Sequence, residues 1–286
     1  MDQNFEHAFV MESFGVRIRI ESNDEELLTD AAENLRWAFA EKMEISDDDG
    51  DVALSFGLEK SGKEFILYRD GEYFSKGEIK KIFLKYMNSV VRNRVAEFAP
   101  DHTFIHAGSV GWKGRSFIFP AKSFKGKSTL VSELVKLGAD YYSDEYAVID
   151  DNGLNHPFPR PLSLRTGEGK DLREDEVPVA EINGIAGTEP IPIGMVVLTE
   201  FDPESAEQLR RLTTGEGILE TLVHTIPFAR DPETSLKRLK SSLNRAIILK
   251  GIRGDAKDFA LTVLSNIDNN LDSELISESF FGGDNE

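Results

Sequence analysis

Cysteine is absent from this 286-residue chain. Disulfides, thiolate metal sites and cysteine nucleophiles are therefore excluded. Long apolar runs are missing too: no stretch approaches the ~20 residues that a membrane-spanning helix needs. The opening MDQNFEHAFVMESFG has no basic start followed by an apolar run, so no signal peptide is expected and the expected location is cytoplasmic. Positive charge is also scarce: 33 Lys and Arg face 51 Asp and Glu, a formal net charge of −18. Affinity for nucleic acid or anionic membrane rests on cations that neutralise phosphates, so neither partner is expected.

The charge that is present is unevenly placed. Ser46–Asp51 (SDDDGD) and the tail Asn266–Glu286 are acidic, whereas Lys122, Lys125 and Lys127 fall within six residues of one another. A basic spot on an acidic protein suits a small anionic ligand better than a long polymer.

The length allows one large domain or two modest ones. Phe14–Ser22 alternates like a strand, and Asp24–Met43 has the spacing of an amphipathic helix with Asn23 or Asp24 as its cap. Strands follow in DVALSFGLEK and EFILYRDGEYFSKG, turning at Asp70-Gly71, and Glu78–Ala99 reads as a long helix. An N-terminal α+β portion over 1–100, with a role in substrate or partner recognition, is thus expected. The second portion, 101–271, opens with two apolar runs around Gly111–Gly114. A helix over Lys127–Leu137 stops at Gly138, and two strands turn at Asp151-Asn152-Gly153. Arg165 to about Pro192 reads as a long loop or lid. The strand IGMVVLTEF, helices near Gly215–Thr225 and Pro232–Arg245, the strand AIILKGI and a closing helix follow. An acidic mobile tail is expected over 272–286.

The most informative stretch is Phe119–Asp150, FPAKSFKGKSTLVSELVKLGADYYSDEYAVID. A strand, a loop ending Gly126-Lys127-Ser128 and then a helix is the arrangement that cradles phosphate. Backbone N–H groups and the helix dipole face the anion there. Composition gives roughly a 2% chance of such a match in a chain this long. The nucleotide-binding candidates are Ala121, Lys122, Ser123, Phe124, Lys125, Gly126, Lys127, Ser128 and Thr129. Lys127 would reach the β- and γ-phosphates of ATP and Ser128 would hold Mg²⁺. Ala121 stands where a glycine is usual, and Phe124 puts a bulky ring mid-loop, so the cradle is either reshaped or disabled. Asp144 and Glu145 follow Lys127 by 17 and 18 residues at the end of the next strand. In α/β sheets, ligands bind at such strand ends.

These residues carry a resemblance. HAGSV…GR…FIFPAKSFKGKSTLVSELVKLGADYYSDEYAVI resembles the core of the HPr serine kinase/phosphorylase family, most of all its shorter, divergent HPr kinase-related members. The sheet of that family is similar to that of phosphoenolpyruvate carboxykinases. The likeness covers about Phe104 to Ile267, dense in motifs at first and loose afterwards. It implies an α/β fold: the α+β portion, then a P-loop kinase core with a mixed, largely β sheet flanked by helices. By matching position, it implies that Asp144 is the general base toward an acceptor hydroxyl and that His106 assists it. It also implies that Glu145 joins Ser128 at Mg²⁺ and that Lys127 stabilises the transferring phosphoryl group. Arg160 and Arg165, flanking a proline-rich turn, are candidates for phosphate or an acidic substrate. The glycine-rich signature tied to the reverse reaction in that family has at best a faint echo in Asn183–Gly187.

The expected activity is therefore ATP- and Mg²⁺-dependent transfer of a phosphoryl group to a hydroxyl. The acceptor would be a serine of a protein or peptide, or a small alcohol. Two other readings stand beside it: a nucleotide-binding regulatory or partner-recognition module without transfer, and a carboxykinase-like enzyme of small metabolites. Homo-oligomerisation is left open by the sequence.

Overall fold

The computed structural model describes residues 5–40, 42–46, 50–121, 126–166, 173–204 and 207–270. Contacts divide the chain into two compact units, Met1–His102 and Thr103–Glu286.

In the first unit, strands β1 (His7–Ser13), β2 (Val16–Ser22), β3 (Glu44–Ser46), β4 (Leu54–Ser61), β5 (Glu64–Arg69) and β6 (Glu72–Gly77) form one sheet in the order β3-β1-β2-β4-β5-β6. β2 and β4 are parallel, joined through helix α1 (Glu25–Ala38), and the other neighbours are antiparallel. Asp24 caps α1 by accepting from the Leu27 N–H at 2.8 Å, satisfying a donor that the first turn cannot pair internally. Helix α2 (Lys80–Phe98) packs on α1 and on β5 and β6. Strands β1 and β3 add to the elements legible in sequence.

The second unit is built on β7 (His102–Trp112), β8 (Arg115–Pro120), β9 (Asp140–Ser143), β10 (Tyr146–Asp150), β11 (Leu154–His156), β14 (Ile191–Phe201), β15 (Gln208–Arg211) and β16 (Ile247–Arg253). Their order is β11-β10-β7-β8-β14-β16-β15, with β9 beside β7 and β11 also pairing β14. β14 runs parallel to both β8 and β16, while β7–β8, β7–β9, β10–β11, β11–β14 and β15–β16 are antiparallel, so the sheet is mixed. Helices α3 (Lys127–Lys136) and α6 (Ala256–Asn270) cover one face, and α4 (Thr214–Leu222) and α5 (Pro232–Leu243) the other.

Two cores explain why its central strands are apolar without alternation. Phe117 and Phe119 of β8 enter one core with Val131, Leu134 and Phe259, and Ile118 between them enters the other with Leu239 and Leu243. Met195 and Val197 of β14 likewise alternate with Val196 and Leu198. A strand buried on both faces needs apolar residues at every position. The α/β class with a mixed sheet flanked by helices is the observed one.

Arg165–Pro192 departs from the loop expected there. β12 (Leu162–Thr166) and β13 (Arg173–Val177) form an antiparallel hairpin, and a short 3₁₀ turn follows at Val179–Ile182. Leu162 anchors the hairpin, fully buried in the α3/α6 core. Among the described residues no helix is long and apolar enough to cross a membrane.

Two glycines in α4 test this packing. Gly215 has open space where a Cβ would stand, whereas a Cβ on Gly217 would lie 2.3 Å from Ile248 Cδ1. Gly215→Ala is expected to stabilise the unit by about 0.5 kcal/mol through reduced chain entropy. Gly217→Ala is expected to destabilise it by about 2 kcal/mol through overpacking. Urea denaturation of both variants measures the opposite signs.

Candidate active site

The register of the second sheet brings the candidate residues to one end of it. Ala107 on β7 lies opposite Pro120 on β8, so His106 stands across from the start of the phosphate loop. On the other side of β7, the Ala107 N–H donates to the Glu145 carbonyl at 3.0 Å. His106, Ala121 and Glu145 therefore share one edge, with the loop on one flank and the acidic pair on the other.

At the loop, Gly126 adopts a left-handed conformation (φ 75°, ψ 24°) and hands the chain into α3. A side chain there would be strained, and its Cβ would also fall 2.7 Å from an Arg253 nitrogen. No side chain caps α3, in contrast to α1, α4 and α5, which Asp24, Thr213 and Asp231 cap. The N–H groups of an uncapped helix start are suited to an anion. Lys127, only 8% exposed, donates from Nζ to the Ala121 carbonyl at 2.8 Å, so its ammonium spans the two ends of the loop. Lys122, Ser123, Phe124 and Lys125 lie outside the described residues, and Thr129 is exposed on α3.

Asp144 is the centre of the site. It is 4% exposed, and the Ser128 hydroxyl donates to its Oδ2 at 2.7 Å. The Ser163 backbone N–H donates to the same oxygen at 2.9 Å. The Tyr141 hydroxyl stands 3.0 Å from Oδ1 and 2.7 Å from the Arg160 carbonyl, and its one proton serves one of these at a time. Burial, and then the charge of Asp144, push the Tyr141 phenol far above its ordinary range, so it stays neutral.

Arg160 is buried beside this carboxylate. Its guanidinium lies 3.0 Å from Glu145, 3.2 Å from Glu176 and 4.0 Å from Asp144. Burial opposes its charge, but Glu145, Asp144, Tyr141 and Glu176 outweigh burial and raise its pKa. Arg160 thus faces carboxylates within the fold. Arg165 lies on β12, and its side chain is outside the described residues.

His106 is partly buried, with its ring edge-on to Tyr146. Burial first, then the nearby charges of Lys127 and His224, lower its pKa to about 4 against the opposing pull of Glu145. The ring is neutral at physiological pH.

The oxygens at Ser128 and Asp144 suit a hard cation. Mg²⁺ keeps several waters and takes one or two protein oxygens together with phosphate oxygens. Among the described residues, no group of three or more His, Cys, Asp or Glu side chains converges as an all-protein metal cage would require. The Ser128 hydroxyl and Asp144 carboxylate fit the smaller role. Glu145, the acidic residue expected beside Ser128, has its carboxylate against Arg160.

No family model matches the chain, and no curated protein matches it. Among solved structures, the chain is similar to the HPr(Ser) kinase/phosphatase from Coxiella burnetii. The identity is 14% and the TM-score 0.33, over 59% of this chain and 95% of that one. A likeness of that size carries no weight on function.

Tyr141, Ser163, Glu176, His224 and Arg253 belong to the site and were not singled out from sequence as its residues. Arg253, at the end of β16, is buried and donates to the Gly126 carbonyl at 3.1 Å. The contact spans 127 residues, and no local motif marks it. For Tyr141 the only available signal was a phenol in an otherwise apolar strand position.

The shifted His106 pKa makes stability depend on pH. Between about 4 and the ordinary 6.5, the unfolded chain binds a proton that the folded chain refuses. The contribution is full above pH 6.5 and is lost as pH falls toward 4, up to about 3 kcal/mol. Urea titrations at pH 7 and pH 5 should show a smaller loss in His106→Gln than in the wild type.

Proposed function

We propose that this protein is a phosphotransferase that moves the γ-phosphoryl group of ATP to a serine hydroxyl. The observation that carries the reading is the 2.7 Å hydrogen bond between Ser128, at the start of the phosphate-loop helix, and the buried Asp144 carboxylate. A carboxylate fixed beside a phosphate cradle is where a general base for an incoming hydroxyl has to be.

The chemistry follows from the bond inventory. A carboxylate offers about four acceptor directions. Ser128 and Ser163 fill two at Oδ2, and Tyr141 fills at most one at Oδ1. One direction at Oδ1 remains for the hydroxyl of an acceptor. As that oxygen bonds to the γ-phosphorus, the bond to the β–γ bridging oxygen breaks, the hydroxyl proton passes to Asp144, and ADP leaves. Lys127 and the first amides of α3 hold the charge spread over the phosphoryl oxygens. The neutral His106 ring adds no positive charge beside Lys127. Mg²⁺, when bound at Ser128, would supply neutralisation of the β- and γ-phosphates.

A second reading has an observation of its own. Asp144 already accepts from neighbouring groups, and Arg160 already faces Glu145 and Glu176. A site so completed within the fold would also suit a module that binds nucleotide without transferring phosphate.

The two readings separate under mutation. Lys127→Ala is expected to abolish Mg·ATP binding in calorimetry. Asp144→Asn should keep binding while transfer to a library of serine peptides falls by about 10³-fold. Full transfer by Asp144→Asn would defeat the base assignment. A wild-type Kd weaker than millimolar, under ~4 kcal/mol of binding, would speak against a working nucleotide site.

A further inference from the structure

We infer that Ser163 is an acceptor of the phosphoryl group in cis, so that the protein phosphorylates itself on β12. The inference rests on the transfer reading above and names one hydroxyl that the same base and cradle can serve. Ser163 and Ser128 meet on a single atom: the Ser163 N–H and the Ser128 hydroxyl both donate to Asp144 Oδ2, at 2.9 and 2.7 Å. The hydroxyl of Ser128 belongs to the helix that opens at the candidate phosphate loop, so Ser163 and that helix start share one carboxylate.

Other contacts complete the requirements of an acceptor. The Ser163 side chain accepts from Arg160 at 3.4 Å, so a cation already faces the oxygen that would carry the phosphate. Arg160 is 5% exposed, and a buried guanidinium is a strong partner for a phosphoserine dianion. Ser163 pairs with Glu176 across the hairpin, and Glu176 lies 3.2 Å from the same guanidinium. Arg160 Nη1 thus faces both the acceptor hydroxyl, at 3.4 Å, and Asp144 Oδ1, at 4.0 Å. Ser163 itself is partly exposed.

The step balances. The Ser163 Oγ–phosphorus bond forms and the bond from the γ-phosphorus to the bridging oxygen breaks. ADP carries away the electron pair, and the Ser163 hydroxyl proton moves to Asp144. Asp144 then passes that proton to water, and attraction to the new phosphate dianion draws Arg160 from Glu145 and Glu176 toward it.

The test is mass spectrometry of the full-length protein incubated with Mg·ATP, followed by peptide mapping. The expected result is one added phosphoryl group on Ser163. The fraction labelled per minute should be independent of protein concentration, as an intramolecular transfer requires. Asp144→Asn should lose at least about tenfold in this rate, Ser163→Ala should lose the label, and Ser163→Thr should regain it. Mapping of the wild-type protein stands even if Ser163→Ala does not fold. Label only at other residues, or a rate that rises with protein concentration, overturns the inference. Phosphorylated serine peptides with Ser163 unlabelled overturn it and leave the transfer reading intact. No label on either protein or peptides overturns both.

Discussion

The carboxylate of Asp144 is the constraint around which the second unit is organised. A charge with 4% exposure is costly to keep in a protein interior unless donors replace its water. Those donors come from three places in the chain: Ser128 at the start of α3, Tyr141 on β9 and the Ser163 backbone on β12. Each of these elements also enters the α3/α6 core, through Leu130 and Val131, Tyr141 and Leu162. Hydrophobic burial and carboxylate solvation therefore demand the same placement of the three segments. Removing the charge would leave two hydroxyls and an amide aimed at an altered partner, and removing a donor would leave a buried charge less solvated.

Arg160 extends this balance outward. Three carboxylates, Asp144, Glu145 and Glu176, lie within 4.0 Å of one guanidinium. One cation does not neutralise three anions, so the cluster favours further positive charge. The same excess explains why Arg160 is held so firmly protonated despite its burial. A neutral residue at 160 would expose each carboxylate to the other two.

Much of this was legible in the sequence, and the boundary of legibility has a physical cause. Local patterns were readable wherever a residue's role depends on its neighbours in the chain. Examples are the Asp24 cap, the Asp70-Gly71 turn, the left-handed glycine at 138, and the double-faced apolar strands β8 and β14. The hairpin of β12 and β13 was missed because REDEV, four of whose five residues are charged, has no apolar alternation and its pairing with LSLRT shows only across the turn. Within the site, Lys127, Ser128 and Asp144 stood out because one helix and one strand separate them. Ser163, Glu176 and Arg253 reach it through tertiary contacts, 127 residues apart in the case of Arg253 and Gly126, and no spacing rule records such pairs.

His106 shows how the sheet keeps the charges in order. It stands between Lys127 and Glu145, which pull its protonation in opposite directions, yet burial and Lys127 prevail and the ring stays uncharged. A protonated ring at that position would add a second cation beside Lys127 and draw Glu145 away from Arg160. Kept neutral, it separates two charge groups: the ammonium that spans the phosphate loop and the carboxylates that Arg160 faces. An uncharged imidazole on β7 thus stands in the field of both groups.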